Sequence, residues 1–307
     1  MNMNKSNWYT LYNGVEMPPV GFGTDRAFIY LRKNIIKGFR IIFDDIFKEN
    51  FYHIRRDRSI SNIVKTAPSV GCHLFDTASS YGQSERVLGH CLRKCDRDEY
   101  FICTKISNEE QRTGNVFKAY ERSLKKLGVD VIDLFLMHWP QTETFVDCWL
   151  QMEKLYEQGL VKAIGVCNFK QHHFEELMVS ANIKPHVCQI ESHPLFAQHE
   201  MREYCKKNMI QMMAYTPTGR MDERIIHDKS IQEISNNHNR SIAQTIIRWH
   251  FQHHVIPVIN TTKLEHLMDN MNIFDFELSE EEMVEIDMMN RNVRLRYDPD
   301  TVDFYKC

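Results

Sequence analysis

The 307-residue chain has few of the features that mark several large classes of protein. It contains only 12 glycines and 9 prolines, which excludes a collagen-like or low-complexity chain. Apolar runs such as 131–137 are interrupted well short of the roughly 20 residues that a membrane-spanning helix needs. The segment 1–6 lacks the apolar stretch of a signal peptide. We therefore expect a folded cytoplasmic protein with no membrane partner.

Charge and cysteine content exclude two further kinds of function. The 38 basic and 41 acidic residues give a net charge of −3, so we expect no nucleic-acid partner, although a local basic patch stays open. The nine cysteines are an odd number, and they form neither a C-x-x-C pair nor a zinc-type spacing with histidine. We expect them to be reduced and mostly buried, and we expect no metal site.

Short apolar runs alternate with amphipathic segments along most of the chain. Eight runs predict strands, at 20–23, 73–76, 100–105, 131–138, 163–166, 187–191, 211–215 and 255–259. Helical spacing of apolar residues appears at 115–127, 145–158, 174–180 and 241–251. Such repeats predict parallel strands with crossover helices, and eight units favour an α/β fold of the (β/α)8 TIM-barrel type over a doubly wound sheet. Residues 21–23 carry only the first half of a G-x-G-x-x-G motif, which also disfavours the doubly wound fold.

Three segments extend this barrel, which we expect to be a single domain over 1–307. Asn13-Gly14 is a strong turn signal, and it predicts an N-terminal β-hairpin that closes the bottom of the barrel. The first β/α unit is unusually long, with an insertion at 27–70 that is rich in basic and aromatic residues. We interpret it as a helix plus a solvated surface insertion, with a partner-binding or nucleotide-phosphate patch as the alternative. The tail at 290–307 is expected to form a wall of the substrate pocket.

Four chemically suggestive residues fall at or just beyond predicted strand ends. Asp76 ends the second strand and Tyr81 follows it, Lys105 ends the third strand, and His138 ends the fourth. The carboxyl ends of barrel strands form one face, which is where barrel enzymes carry their active sites. A carboxylate, a phenol, an ammonium group and an imidazole can therefore converge on one point.

The order and context of these four residues resemble the catalytic tetrad of the aldo-keto reductases. The segments 159–169 and 214–220 are also similar to motifs of that family, and the resemblance runs from Met17 to about Leu278. It implies a reversible NAD(P)H-dependent oxidoreductase that reduces aldehydes or ketones to alcohols. In this scheme Tyr81 donates the proton, Lys105 lowers the pKa of Tyr81, Asp76 holds Lys105, and His138 donates a hydrogen bond to the carbonyl oxygen.

The resemblance also implies a set of cofactor-binding residues. Asn168 and Gln189 would bond the nicotinamide carboxamide, and Tyr215 would stack on the nicotinamide ring. The whole implied set is Thr24, Asp25, Asn168, Gln189, Tyr215, Thr216, Thr218, Gly219, Asn260, Thr261, His266 and Asn270.

The chain departs from the family pattern at the residues that bind the 2′-phosphate of NADP in the family. Asn260 and His266 replace the usual lysine and arginine, and Lys263 lies between them. An amide and an imidazole bind a dianion less strongly than an ammonium and a guanidinium group. We therefore expect NADP(H) as the cofactor, with NAD(H) as the alternative. We expect the preference for NADP(H) over NAD(H) to be smaller than is usual in the family.

The substrate pocket is predicted to be open, because the loop after His138 is short. Its expected lining is Phe28, His138 and Trp139, and its expected ligand is a small-molecule carbonyl or alcohol. We expect a monomer or a weak dimer. One alternative function stays open: a regulatory or partner-binding member of the same fold that holds the cofactor but catalyses little.

Overall fold

The computed structural model describes residues 5–25 and 57–305. Phe28 and most of the 27–70 insertion lie outside the described residues. Strands β1 (Tyr9–Thr10) and β2 (Glu16–Met17) are antiparallel, with Tyr9 opposite Met17. The remaining strands are β3 (Gly21–Gly23), β4 (Leu74–Asp76), β5 (Phe101–Ile106), β6 (Ile132–Met137), β7 (Val161–Cys167), β8 (Val187–Glu191), β9 (Gln211–Tyr215) and β10 (Ile256–Ile259).

Strands β3 to β10 form a closed parallel barrel, in which each strand pairs with its neighbours in sequence and β10 pairs with β3. The predicted TIM barrel is therefore confirmed. Helices alternate with the strands. They are α1 (Asp57–Thr66), α2 (Ser84–Leu92), α3 (Asn108–Arg112), α4 (Val116–Leu127), α5 (Phe145–Glu157), α6 (Gln171–Met178), α7 (His199–Lys207), α8 (Glu223–Ile226), α9 (Lys229–Asn237), α10 (Ile242–Gln252), α11 (Leu264–Met271) and α12 (Glu280–Asp287).

Element boundaries differ slightly from the sequence pattern. Strand β7 begins at Val161, two residues before the predicted 163–166, and extends through Cys167. Helix α6 begins at Gln171 rather than at 174, because the Nδ1 atom of His173 accepts a hydrogen bond from the backbone N–H of Lys170 and closes the first turn. Such side-chain capping is a local device that apolar periodicity does not report.

The β1–β2 hairpin closes the bottom of the barrel as predicted. Gly14 has a φ of 85°, which the turn requires and glycine adopts without strain. Leu11 and Met17 are buried in one apolar cluster with Leu74 and Phe101, which begin barrel strands β4 and β5. The hairpin thus covers the end of the barrel opposite the strand carboxyl ends.

A second apolar cluster fills the space between the barrel and its helices. Ile63 and Val64 of α1 belong to it, so the last part of the 27–70 insertion supplies the packing helix of the first β/α unit. Among the described residues, no helix is long and apolar enough to cross a membrane. The eight cysteines within the described residues form no disulfide bond with one another, and seven of them are buried.

Buried neutral histidines predict that the fold loses stability in acid. Burial lowers the pKa of His250 in α10 to about 3, and its Nε2 atom lies 3.0 Å from the carbonyl oxygen of Pro217. As the pH falls below about 6.5, the histidine binds a proton in the unfolded chain but stays neutral in the folded chain. The free energy of unfolding therefore falls until about pH 3. One such site adds about 1.4 kcal/mol per pH unit to the decrease in the free energy of unfolding.

Urea unfolding at several pH values between 7 and 4 measures this effect, with the pH values chosen to bracket the ordinary histidine pKa of about 6.5. We expect His250→Gln to flatten the pH dependence, because glutamine cannot take up the proton. The exposed His266 provides the control, and His266→Gln should leave the dependence unchanged. Equal slopes in wild type and His250→Gln would show that His250 does not contribute.

Candidate active site

The four residues at the strand ends converge as the sequence predicts. The Lys105 ammonium donates to Oδ2 of Asp76 at 2.6 Å and to the carbonyl oxygen of Thr77 at 2.9 Å. Its Nζ atom lies 5.2 Å from the centre of the Tyr81 ring. The rings of Tyr81 and His138 meet edge to face with centroids 5.6 Å apart. One phenol, one imidazole and a buried ion pair therefore form a single cluster on the carboxyl face of the barrel.

The buried ion pair fixes the charge of Lys105. Burial by itself lowers the pKa of an amine, but the neighbouring Asp76 carboxylate reverses this effect and raises the pKa of Lys105 well above its ordinary value. The Lys105 side chain is fully buried, and that of Asp76 is 5% exposed. Gln189 donates from Nε2 to Oδ1 of Asp76 at 2.8 Å, so both carboxylate oxygens have partners.

The pKa of Tyr81 differs from the sequence expectation. Lys105 does act to lower it, as predicted, but burial of the phenol is the larger effect and raises the pKa above its ordinary value of 10. The sequence places a cation beside the phenol but does not report how deeply the fold places the phenol. Tyr81 is therefore a neutral hydroxyl in this structure, which is the form that can donate a proton.

His138 is held as a neutral imidazole. Burial, with further contributions from the charges of Lys105 and Arg296, lowers its pKa to about 3. Its Nδ1 atom lies 3.2 Å from the Ser80 hydroxyl, which can donate to it. A donation from Ser80 to Nδ1 leaves the proton of the ring on Nε2, available to a ligand.

Two amides and a tyrosine form the next layer of the site. Asn168, which has a φ of 63° that asparagine tolerates, donates from Nδ2 to the carbonyl oxygen of His138 at 2.9 Å. The Tyr215 hydroxyl donates to Oδ1 of Asn168 at 2.6 Å. Tyr215 ends β9 and Gln189 lies in β8, so the barrel itself brings these groups together.

A cavity of about 360 Å³ lies over this cluster. Most of the predicted site residues line it, namely Asp25, Asp76, Tyr81, His138, Trp139, Asn168, Gln189, Tyr215, Thr216, Thr218, Asn260 and Asn270. Trp139 also meets Phe304 of the C-terminal tail, with ring centroids 6.3 Å apart, so the tail does reach the pocket wall.

Four predicted cofactor residues do not line the cavity. The Thr24 hydroxyl is buried behind the site, where it donates to the carbonyl oxygen of Asp76 and accepts from Ser84. Gly219 is buried against Ile225, and the Thr261 hydroxyl pairs with the backbone of Lys263. His266 is exposed to solvent on α11, away from the cavity lining.

The structure adds Arg220, which lines the cavity, and Ser80, which contacts His138, to the predicted site residues. Within the tail that was predicted as a pocket wall, Arg296 is the residue that lines this cavity. Ser80 directly precedes Tyr81 in the sequence, and this adjacency could have predicted its place at the site. The placement of Arg296 depends on a contact with Glu191, more than 100 positions earlier, and no local pattern reports it.

Comparison with known proteins agrees with this geometry. The model of the Aldo/keto reductase family matches residues 55–291. A 9,11-endoperoxide prostaglandin H2 reductase of Trypanosoma cruzi is 38% identical over 303 residues, covering 98% of this chain and 97% of that protein. A glyoxal reductase of Bacillus subtilis is 37% identical over 295 residues and covers 96% of each chain.

Solved structures show the same fold. An aldo-keto reductase from a Medee basin deep-sea metagenome library superposes with a TM-score of 0.82 at 33% identity, covering 96% of this chain and 99% of that one. A Bombyx mori aldo-keto reductase in complex with NADP superposes with a TM-score of 0.81 at 26% identity, covering 95% of each chain. The chain belongs to the aldo/keto reductase family of oxidoreductases.

Proposed function

We propose that this protein is an NAD(P)H-dependent reductase of aldehyde or ketone carbonyls, with NADP(H) as the favoured cofactor. The observation that carries the proposal is the placement of Tyr81 beside the buried Lys105–Asp76 pair and edge to face with His138, at the base of a cavity. Membership of the family and the NADP complex of the Bombyx mori relative support the cofactor.

The residues present fit the nicotinamide half of such a cofactor. The Asn168 and Gln189 amides offer both donors and acceptors to a carboxamide, and the Tyr215 ring offers a face for stacking. The amides of Asn260, which follows β10, and of Asn270 in α11 line the same cavity. When bound, the nicotinamide supplies the hydride that reduces the carbonyl carbon.

The chain's own residues then handle the carbonyl oxygen. His138, neutral and donating from Nε2, orients the oxygen and stabilises the negative charge that develops on it. Tyr81 gives its hydroxyl proton to that oxygen, and the Lys105 ammonium stabilises the phenolate left behind. Asp76 keeps Lys105 charged and in place.

The cofactor preference is expected to be modest. The cavity end at Asn260 and Asn270 presents amides, while Lys263 and His266 are exposed outside the lining. We expect the kcat/KM ratio of NADPH to NADH to stay below about a hundredfold, or about 2.7 kcal/mol. His266→Arg should raise that ratio, Lys263→Gln should lower it, and Glu265→Gln on the same helix serves as the control. A wild-type NADPH-to-NADH ratio above a hundredfold would contradict the prediction that this chain binds the 2′-phosphate weakly.

Turnover separates this proposal from the alternative of a cofactor-binding protein with little catalysis. Glyoxal is the first probe, because a relative of similar length is a glyoxal reductase. Cofactor oxidation that depends on glyoxal supports the reductase. Tight NADPH binding without turnover across a panel of aldehydes, ketones and sugars would favour the regulatory alternative.

A further inference from the structure

A positively charged side chain from the C-terminal tail faces the reacting groups. Arg296 lines the same cavity as Tyr81, His138 and Trp139. Its charge acts on His138 and on Tyr215, contributing to the lowered pKa of the imidazole and opposing the raised pKa of the phenol. Arg296 thus lies close to the groups that would contact a substrate carbonyl.

The guanidinium group of Arg296 has no partner within the described residues. The structure gives it no hydrogen bond or ion pair through its side chain there, although its backbone N–H is bonded. Its neighbour Arg294 is different, since it lies 3.8 Å from Glu191 and 3.9 Å from Asp298 and packs over the Phe196 ring. A guanidinium group that faces a partly buried cavity and is bonded to no carboxylate is matched to an anionic ligand.

The tail segment that carries Arg296 is fixed on both sides. The fully buried Glu191 carboxylate accepts from the backbone N–H groups of Leu295 at 2.5 Å and Arg296 at 3.1 Å. Downstream, the Lys170 ammonium bridges Asp298 at 2.7 Å and Asp300 at 2.6 Å. These contacts order the backbone before any ligand arrives, which reduces the entropy that binding must overcome.

Three of the carboxylates around Arg296 are already paired, and Asp25, which also lines the cavity, forms no ion pair with Arg296 within the described residues. Both oxygens of Asp76 are bonded, to Lys105 and to Gln189. The carboxylates of Asp298 and Asp300 are bonded to Lys170. A carboxylate on the ligand is therefore the natural partner for the Arg296 fork.

We propose that Arg296 is a specificity-determining residue that binds a carboxylate of the substrate, so that the enzyme prefers carbonyl compounds bearing an anionic group. This inference rests on the proposed reductase function. The carbonyl would lie at Tyr81 and His138, with the carboxylate directed towards the tail.

A matched pair of substrates tests the inference. para-Carboxybenzaldehyde and its methyl ester share the reacting aldehyde and differ in charge. We expect wild type to favour the acid over the ester by at least tenfold in kcat/KM, which is about 1.4 kcal/mol. The ratio of acid to ester should fall at least tenfold in Arg296→Gln and partly recover in Arg296→Lys. Arg291→Gln removes an exposed charge of the same tail whose side chain bonds only to backbone carbonyl oxygens, and it should leave the ratio unchanged.

A binding measurement gives a second readout without turnover. Calorimetric titration with para-(hydroxymethyl)benzoate, the product alcohol, should show at least tenfold weaker binding to Arg296→Gln than to wild type. Equal reduction of acid and ester by wild type would overturn the inference and leave the reductase intact, whereas failure to reduce either would overturn the reductase itself. A KM for NADPH that rises in Arg296→Gln while the acid-to-ester ratio holds would assign the guanidinium to the cofactor and overturn the inference.

Discussion

Replacing Tyr81 with phenylalanine is expected to lower kcat/KM for glyoxal by about 10²- to 10⁴-fold, the range that a positioned general acid supplies. The substitution removes only the hydroxyl. The ring would keep its edge-to-face contact with His138 and its place beside Lys105. We therefore expect NADPH affinity and the free energy of unfolding to stay close to wild type.

Steady-state kinetics with NADPH and a fluorescence titration of the cofactor measure these two expectations separately. Tyr305→Phe is the matched control, because Tyr305 is 76% exposed and lies outside the cavity lining. Retention of more than a third of the wild-type kcat/KM in Tyr81→Phe would show that another group donates the proton.

The second large effect concerns stability. Asp76→Asn leaves the Lys105 charge buried without its carboxylate, and breaking a buried pair from one side costs about 3 to 5 kcal/mol of the free energy of unfolding. Activity should fall with it, since Lys105 would no longer be held beside Tyr81. Adding Lys105→Met removes the stranded charge, so the double variant should be more stable than Asp76→Asn alone while remaining inactive.

Urea unfolding of the two single variants and the double variant completes this cycle. The surface pair of Arg240 and Asp275 gives the control, because Asp275 is 46% exposed and exposed pairs contribute less than about 1 kcal/mol. If Asp76→Asn costs no more than Asp275→Asn, Lys105 does not carry a buried charge and its assigned role fails.

The sequence predicts the barrel and the convergence of the four strand-end residues, because both depend on short-range patterns. Parallel strands that are buried on both faces produce short, nearly continuous apolar runs in the sequence. These runs predict β8 and β9 at their observed bounds. The topology brings residues at neighbouring strand ends together, so the convergence of Asp76 and Lys105 follows from the strand pattern. That the two form a pair is what the family resemblance implies.

Features that depend on burial or on long-range contacts could not be read in the same way. The raised pKa of Tyr81 reflects how deeply the fold places the phenol, which depends on contacts from distant parts of the chain. Thr24 lies next to the site in sequence, yet its hydroxyl turns inward to the Asp76 carbonyl oxygen. Arg296 lies in an irregular tail, and its position depends on a hydrogen bond to Glu191, which lies more than 100 positions earlier in the chain.

The most direct test of the reductase assignment follows the hydride itself. Glyoxal would be reduced with NADPH deuterated at the transferable hydrogen position of the nicotinamide, and the alcohol product would be examined by mass spectrometry. We predict one deuterium on the former carbonyl carbon in the wild-type product, and loss of that product in Tyr81→Phe. An unlabelled alcohol, or no alcohol while NADPH still binds, would contradict the assignment.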